Sequence, residues 1–211
     1  MILFLLLSCN TANEKTSANQ TVDSSSLKIK MRSDTNALKE TTKLDEAIDD
    51  KFDTTQLIPI KKNFVRINSI TTYKIVERDL HESEESGEAK FFFSNNMLEK
   101  FVTRNFGEMG QTITEYYFLD GKVSFVFEKE INYNRPMYWD STSMKEANDT
   151  EVFSMDKSKT KLTRWYFVNG KMIYKTVTDA VGQVTGSAGG SAEEEQINDD
   201  IARYKKMVEK K

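Results

Sequence analysis

The chain has 211 residues, and its 30 Lys and Arg against 33 Asp and Glu give a formal net charge of −3. This balance lacks the basic excess that is typical of nucleic-acid-binding proteins. A single Cys and a single His exclude an internal disulfide framework, a Cys-rich metal site and a cage of several histidines. The length allows one or two domains, and an aromatic content of 11% beside a low hydrophobic content of 38% indicates β-structure with solvated segments.

The N-terminal residues predict export and lipidation. Residues 1–8 are a short apolar run, far below the roughly 20 residues that span a bilayer, and they are typical of the end of a signal peptide. Residues 6–9 read Leu-Leu-Ser-Cys, which resembles the bacterial lipobox, in which a small residue precedes the acylated Cys. We therefore predict a lipid anchor on Cys9; the alternative is a buried strand with an ordinary Cys. Asn10 after that Cys favours the outer membrane over the inner one.

Two segments separate this anchor from the first strands. Residues 9–35 are rich in Ser, Thr, Asn and Gln, so we predict a lipidated, disordered tether that cannot bury enough apolar surface to fold. Residues 36–58 hold a possible helix that Asn36 would cap and that Pro59 would end. Its apolar face would consist of Leu44, Ala47, Ile48 and Phe52.

Residues 60–181 are predicted to form an antiparallel β domain. One long strand or two joined strands are expected over 63–80, followed by an acidic turn after His81. Further strands are expected at 88–94, 97–106, 111–119, 122–130, 161–168 and 171–178. Residues 182–191 are Gly- and Ser-rich and are predicted to be a flexible linker. Residues 192–211 predict an amphipathic C-terminal helix, whose apolar stripe is Ile197, Ile201, Tyr204 and Val208.

Three segments of the β domain repeat the pattern of aromatic strand, tight turn and second strand. Their turns centre on Asn95-Asn96, Asp120-Gly121 and Asn169-Gly170, residue types that accept the positive φ of type I′ turns. Two-residue turns predict the cross-strand pairs Phe118–Val123, Tyr116–Phe125, Phe167–Met172 and Trp165–Tyr174. The predicted core face carries Phe91, Phe93, Tyr116, Phe118, Trp165 and Phe167. The opposite face mixes Phe92, Tyr117 and Tyr166 with Glu99, Ser124 and Ile173, which indicates a semi-polar interaction surface.

These repeats carry a family resemblance. Residues 87–93 (GEAKFFF), 115–128 (EYYFLDGKVSFVFE), 133–138 (YNRPMY) and 165–171 (WYFVNGK) resemble uncharacterised lipoproteins of Bacteroidetes. The resemblance covers about residues 64–175 together with the lipobox. Its motifs are structural turns, and it implies no catalytic residue. The expected fold is α+β, an antiparallel hairpin-built sheet of about six to eight strands with the C-terminal helix packed on it.

The loop after residue 132 is the candidate binding segment. Residues 133–140 contain a proline among aromatic and hydrogen-bonding side chains, and loops carry function more often than cores do. Such residues suit a glycan, a peptide or an envelope protein as partner. The alternative is that the loop only packs over the end of the sheet. The candidate binding residues are Tyr133, Asn134, Arg135, Tyr138 and Trp139.

The sequence also contains candidates for catalytic residues. Glu115, Glu128, Glu130 and Asp140 are candidates for a carboxylate pair of the glycosidase type, because Glu115 and Glu128 flank one hairpin. His81 among glutamates is a candidate base, with a solvated turn as the alternative. The sequence lacks the short motifs of nucleotide, zinc and nucleophile sites, so it predicts neither a cofactor nor a metal. We expect a non-enzymatic binding lipoprotein of the cell envelope; the alternatives are an inhibitor or immunity-type protein and a carboxylate-based hydrolase.

Overall fold

The computed structural model describes residues 53–81 and 85–209. The predicted signal peptide end, Cys9, the tether over 9–35 and nearly all of the possible helix over 36–58 lie outside these residues. The described chain contains one eight-stranded antiparallel sheet and three helices, which confirms the predicted α+β class. The strands are β1 (Lys74–Leu80), β2 (Gly87–Ser94), β3 (Met97–Gly107), β4 (Gly110–Leu119), β5 (Lys122–Asn132), β6 (Lys159–Val168), β7 (Lys171–Thr178) and β8 (Val184–Ala188). The helices are α1 (Leu57–Ser69), α2 (Ser141–Glu146) and α3 (Ser191–Glu209).

The sheet is a meander in which every strand pairs with its neighbours in sequence, in the order β1 to β8. Short turns join most strands, since an antiparallel pair needs only a tight hairpin. The exception is the connection from β5 to β6, over residues 133–158, which contains α2 and a short 3-10 turn at Met155–Lys157. This connection, called the excursion below, leaves the sheet at the end opposite the three predicted turns.

The three turns adopt the backbone conformation that the sequence predicts. All six central residues have positive φ, at Asn95-Asn96, Asp120-Gly121 and Asn169-Gly170. That geometry matches the right-handed twist of the flanking strands, which explains why Asn, Asp and Gly occupy these positions. The two-residue turns also place Phe118 opposite Val123, as predicted.

The predicted pairing is wrong one step further from the turn. The register of β4 and β5 shifts between Tyr117 and Phe118, so that Tyr117 lies opposite Phe125 and Tyr116 lies opposite Val126. A β-bulge adds one residue to one strand, and therefore exchanges the partners beyond it. The third hairpin behaves alike: Phe167 pairs with Met172 as predicted, but Tyr166 pairs with Tyr174 and Trp165 with Lys175.

The sequence analysis predicted strand structure over residues 63–80, but residues 63–69 belong to helix α1. Its buried residues are spaced by three or four, as on one face of a helix: Leu57, Ile60, Asn63, Phe64 and Ile67. Pro59 does not end a helix but lies in the first turn of α1, where a missing backbone N–H costs nothing. The first strand begins only at Lys74.

The sheet has a hydrophobic core on each face. On the face covered by α3, called the α3 face, the predicted core residues Phe91, Tyr116, Phe118 and Phe167 are buried, with Phe93 and Trp165 packed beside them. On the other, called the α1 face, Tyr117 and Tyr166 are buried together with Phe64 and Ile67 of α1. The face predicted to be a semi-polar interaction surface is therefore, at these residues, a second core that α1 covers.

The segment 182–191 is not a linker. It forms β8, which pairs with β7 from Tyr174 opposite Ala188 to Thr178 opposite Val184. Strand pairing outweighs the low β propensity of Gly and Ser here, because the edge of β7 offers a row of backbone partners. Helix α3 is confirmed, beginning at Ser191 and burying Ile197, Ile201 and Tyr204.

Candidate functional site

The excursion begins at a buried residue. The Tyr133 side chain is buried and packs edge-on against Phe153, with ring centroids 5.3 Å apart. The Tyr133 N–H donates to the Met109 carbonyl in the β3–β4 turn at 2.8 Å. Burial raises the pKa of the Tyr133 hydroxyl. Tyr133 therefore fixes the start of the excursion to the end of the sheet and presents little surface to a ligand.

Asn134 joins the two ends of the excursion. Its Nδ2 donates to the Val152 carbonyl at 3.0 Å, and its Oδ1 accepts from the Ser154 N–H at 2.9 Å. One side chain thus pairs with the backbone of a segment about twenty residues later, as a strand partner would. Both polar groups of the side-chain amide are used in these bonds, which explains the Asn at this position. Asn134 therefore stabilises the loop and does not offer its amide to a binding partner.

Arg135 is the charged centre of the excursion. Its Nε and Nη2 donate to the two carboxylate oxygens of Asp149 at 2.5 and 2.7 Å, and its Nη1 lies 3.4 Å from Glu151. This bidentate pair holds the pKa of Asp149 well below its usual range. The guanidinium is therefore already paired within the excursion.

The remaining two candidates differ from each other. Tyr138 is 63% exposed, and its hydroxyl donates to Glu108 Oε1 at 2.5 Å. That hydrogen bond and the carboxylate charge raise the pKa of Tyr138. The Trp139 ring is half-buried, and its Nε1 is buried without a hydrogen-bond partner among residues 53–81 and 85–209. Of the five predicted binding residues, Tyr138 is the one whose side chain mostly faces solvent.

Large apolar side chains in the β3–β4 turn and in the excursion are exposed, and apart from Tyr138 they were not among the predicted binding residues. Met137 precedes Tyr138 and is 57% exposed, and Met109 lies in the turn that binds Tyr133. Two more belong to the second half of the excursion. We call the following set the excursion surface: Met109, Met137, Tyr138, Val152 and Met155. Their exposure depends on how the excursion folds back, which no spacing in the sequence indicates.

Asp140 begins helix α2 and is not part of a carboxylate pair. Its Oδ1 accepts the backbone N–H groups of Thr142 and Ser143, each at 2.9 Å. These bonds cap the helix and lower the pKa of Asp140. A capping carboxylate of this kind is a structural residue.

The predicted pair of Glu115 and Glu128 is not assembled. Glu115 lies opposite Phe127 and Glu128 lies opposite Thr114, so the two side chains point to opposite faces of the sheet. Glu115 accepts from the Tyr117 hydroxyl at 2.5 Å on the α1 face. Because the two residues flank one hairpin, the sequence predicted that they lie near each other. The alternation of side chains along each strand places them on opposite faces instead.

Glu128 lies instead in a cleft between the sheet and helix α3. The cleft has a volume of about 330 Å³, and Tyr116, Val126, Trp165, Glu193, Ile197 and Asp200 are among its lining residues. Burial and the neighbouring charge of Glu130 raise the pKa of Glu128. Lys175 lies over the Trp165 ring, 5.8 Å from its centroid, and pairs with Glu193. These contacts tie the first turn of α3 to the sheet.

Polar side chains of α1 also bond to the sheet on the α1 face. Asn63 Nδ2 donates to the Phe118 carbonyl at 2.9 Å, and Lys100 Nζ donates to Asn68 Oδ1 at 2.9 Å. Burial lowers the pKa of Lys100. These bonds position α1 on the sheet and explain the polar residues that sequence reasoning took for a binding face.

Within the described residues, no group of three His, Cys, Asp or Glu side chains is placed to hold a metal ion. None of the described helices has the length and apolar character that crossing a bilayer requires. His81 is exposed directly after β1, and of its acidic neighbours Glu82 and Glu84 lie outside the described residues.

Comparisons of this chain with protein-family models, with curated proteins and with solved structures give no match.

Proposed function

We propose that this protein is a non-enzymatic binding module that a lipid on Cys9 holds at the cell envelope, and that it docks a partner protein through the excursion surface. One observation carries the proposal: the excursion is fixed by internal bonds and yet leaves large apolar side chains in solvent. A loop that only covered the end of the sheet would bury such groups, since burial is their main contribution to stability. Tyr138 bonds to Glu108, which precedes Met109, and Asn134 bonds to the backbone of Val152 and of Ser154, which precedes Met155, so these exposed groups are drawn together by the bonds of the excursion. Clustered exposed apolar groups are typical of docking surfaces.

The order of the loop is what makes docking favourable. Asn134 and Arg135 hold the backbone before a partner arrives, so that association does not have to order this segment. Methionine side chains are flexible and polarizable, and they adapt to an apolar surface of another protein. Tyr138 adds a large amphipathic side chain of the kind that is enriched at protein interfaces.

The partner surface is tested by photo-crosslinking in the cells that make the protein. A photoreactive phenylalanine analogue replaces Tyr138 in the full chain, and the matched control replaces Val65, which is exposed on α1. We expect a discrete crosslinked species from position 138 that is absent from position 65 and is lost when Met137→Ser is added. Equal products at both positions, or none at position 138, would contradict the proposal.

The identity of the crosslinked species also decides between a binding module and an inhibitor. An envelope hydrolase whose activity falls when the purified chain is added would favour the inhibitor. A structural envelope protein would favour the binding module. The same crosslinked species distinguishes an inhibitor from a binding module, so no target enzyme has to be known before the experiment.

The anchor is tested separately. We expect metabolic labelling with a clickable fatty acid to mark the full chain, and Cys9→Ser to abolish both the label and the sedimentation with membranes. Ser8→Ala keeps a small residue before the Cys and is the matched control. An unlabelled parent chain would refute the anchor and leave the docking surface to be judged on its own test.

A further inference from the structure

The two edges of the sheet differ in charge. Strand β1 carries Lys74, Glu77, Arg78 and Asp79, and charged side chains on an edge oppose pairing with another sheet. Strand β8 reads Val-Thr-Gly-Ser-Ala, without a charge or a proline. Four of its five residues are exposed and Val184 is half-buried, and within the described residues no strand pairs with its outer side. The edge at β8 therefore lacks the features that keep β1 unpaired.

The hydrogen bonds at the two ends of β8 show which of its groups face outward. The Gly189 N–H donates to the Ile173 carbonyl at 3.3 Å, and the Asp179 N–H donates to the Gln183 carbonyl at 3.0 Å. In an antiparallel pair the bonded residues alternate, so residues 183, 185, 187 and 189 face β7. Val184, Gly186 and Ala188 consequently direct their N–H and C=O groups away from the sheet.

We propose that β8 pairs with β8 of a second copy of this chain, antiparallel and about a twofold axis at Gly186. In this register Val184 lies opposite the partner's Ala188, and Gly186 lies opposite the partner's Gly186. Each outward residue then meets an outward residue, and each such pair exchanges both of its hydrogen bonds. The two sheets become one continuous sheet, with β1 strands at its outer edges.

A second copy fits this edge for a reason of symmetry. The residue on a twofold axis meets its own copy, so a charge at that position would repel the same charge in the second copy. The absence of charge and the small side chains of β8 remove that repulsion and allow close approach.

The interface is small, so we expect a reversible dimer. Five residues of strand extend about 17 Å. A contact along so short a strand buries less surface area than the interfaces of permanent dimers do. The Cys9→Ser chain avoids the proposed lipid, and its sedimentation equilibrium should therefore give a mass that rises with concentration from about 24.3 kDa toward twice that value. A single-chain mass at every concentration up to the solubility limit would overturn the proposal.

Two substitutions at one position isolate the edge. Gly186→Pro removes an outward N–H and no bond to β7, and it should raise the dissociation constant of the dimer at least about tenfold. Gly186→Ala keeps that N–H and is the matched control, with an unchanged mass distribution. Dimers that persist in Gly186→Pro would place the contact elsewhere and overturn the proposal. Far-ultraviolet circular dichroism establishes that both variants fold.

A charge exchange tests the register itself and does not depend on proline. Gly186→Lys and Gly186→Glu each place like charges opposite each other on the axis, so each should be monomeric alone. Mixed in equal amounts at low salt, they should form a dimer containing one chain of each kind, and added salt should dissociate it. A mixture that stays monomeric, or single variants that dimerise as the parent does, would refute the axis at Gly186.

Discussion

Arg66 of helix α1 and Glu99 of strand β3 form a bidentate ion pair, with N–O distances of 3.1 and 2.6 Å. The Glu99 side chain is 8% exposed, whereas that of Arg66 is 48% exposed. The Glu99 carboxylate is the less solvated of the two groups, so it is the one that needs its partner to offset the cost of burying a charge. The contact raises the pKa of Arg66 and fixes the position of α1 on the sheet.

Removing Arg66 should therefore destabilise the fold. Arg66→Ala leaves a buried carboxylate without its cation, and we expect a loss of about 1–2 kcal/mol in the free energy of unfolding, below the full cost of a buried pair because Arg66 is half-exposed. Lys157→Ala breaks the exposed pair with Glu151 and is the control, with an expected loss below about 0.5 kcal/mol. Urea unfolding measures both. Equal losses would show that burial of Glu99 does not matter.

Glu128 gives a pH-dependent prediction. Burial favours its protonated form, so its pKa in the folded state lies above the unfolded value. This group stabilises the fold fully below its unfolded pKa, and the contribution is lost as pH rises through the folded pKa. Glu128→Gln mimics the protonated form, so we expect the variant to be more stable than the parent at pH 7 and the difference to shrink toward pH 4.

The matched control for that experiment is Glu151→Gln, because Glu151 is not among the groups that shift the pKa of Glu128. The hydrogen bond from Lys157 lowers the pKa of Glu151, so its charged form stabilises the fold above the unfolded pKa. Thermal unfolding between pH 4 and pH 8 should show no gain in stability for this variant at pH 7. Parallel behaviour of the two glutamate variants would contradict the difference in their surroundings.

Gly121 tests the turn of the second hairpin. Its φ is +76°, and a Cβ added there meets no atom within 4 Å, so the cost of Gly121→Ala is conformational and not steric. We expect a loss of about 1 kcal/mol in the free energy of unfolding. Gly107→Ala adds a Cβ whose nearest neighbour, the Gly110 carbonyl oxygen, lies at an ordinary contact distance of 3.5 Å, and its φ is not positive, so it should change the stability by less than about 0.5 kcal/mol. A similar loss in both variants would contradict the turn conformation.

Asn134 tests whether the excursion is held by its internal bonds. Asn134→Ala loses both contacts with the backbone of residues 152–154. We expect amide hydrogen exchange to become faster within residues 133–158, while the slowest-exchanging amides of β4 and β5 keep their rates. Asn198→Ala, on the exposed side of α3, should change neither region. Unchanged exchange in the excursion would remove the argument that this loop is ordered before it docks.

The sequence predicted the hairpins well because each depends on a few adjacent residues. Asn169 and Gly170 specify their turn alone, and the apolar stripe of α3 lies within one helix. The positions of α1 and β8 depend on distant partners: Asn63 of α1 bonds with the Phe118 carbonyl, and β8 takes its partners from β7. Neither contact leaves a local pattern. The bulge beside Tyr117 recurs at the same step from the turn in the first and third hairpins, so it accompanies the hairpin pattern, although the two-residue turn alone does not predict it.

Residues 133–140 form a loop, as the sequence predicted, but the sequence did not indicate which partners its side chains have within the chain. Arg135 appeared free in the sequence because its partner Asp149 comes fourteen residues later, after a helix. Tyr133 appeared available because its partner Phe153 lies at the far end of the excursion. Contacts within the loop determine which side chains stay available to a binding partner. The residues that make such contacts do not recur at a regular spacing in the sequence, so the sequence does not predict them.

The meander order has a consequence for how the chain folds. Since every strand pairs with its neighbours in sequence, the sheet can grow hairpin by hairpin with little loss of chain entropy at each addition, and low contact order favours rapid folding. Helix α1 is the exception, because its core includes Tyr166 and Tyr174, roughly a hundred residues later. We expect α1 to dock last, after β6 and β7 have formed, and substitutions at Phe64 to accelerate unfolding far more than they slow refolding.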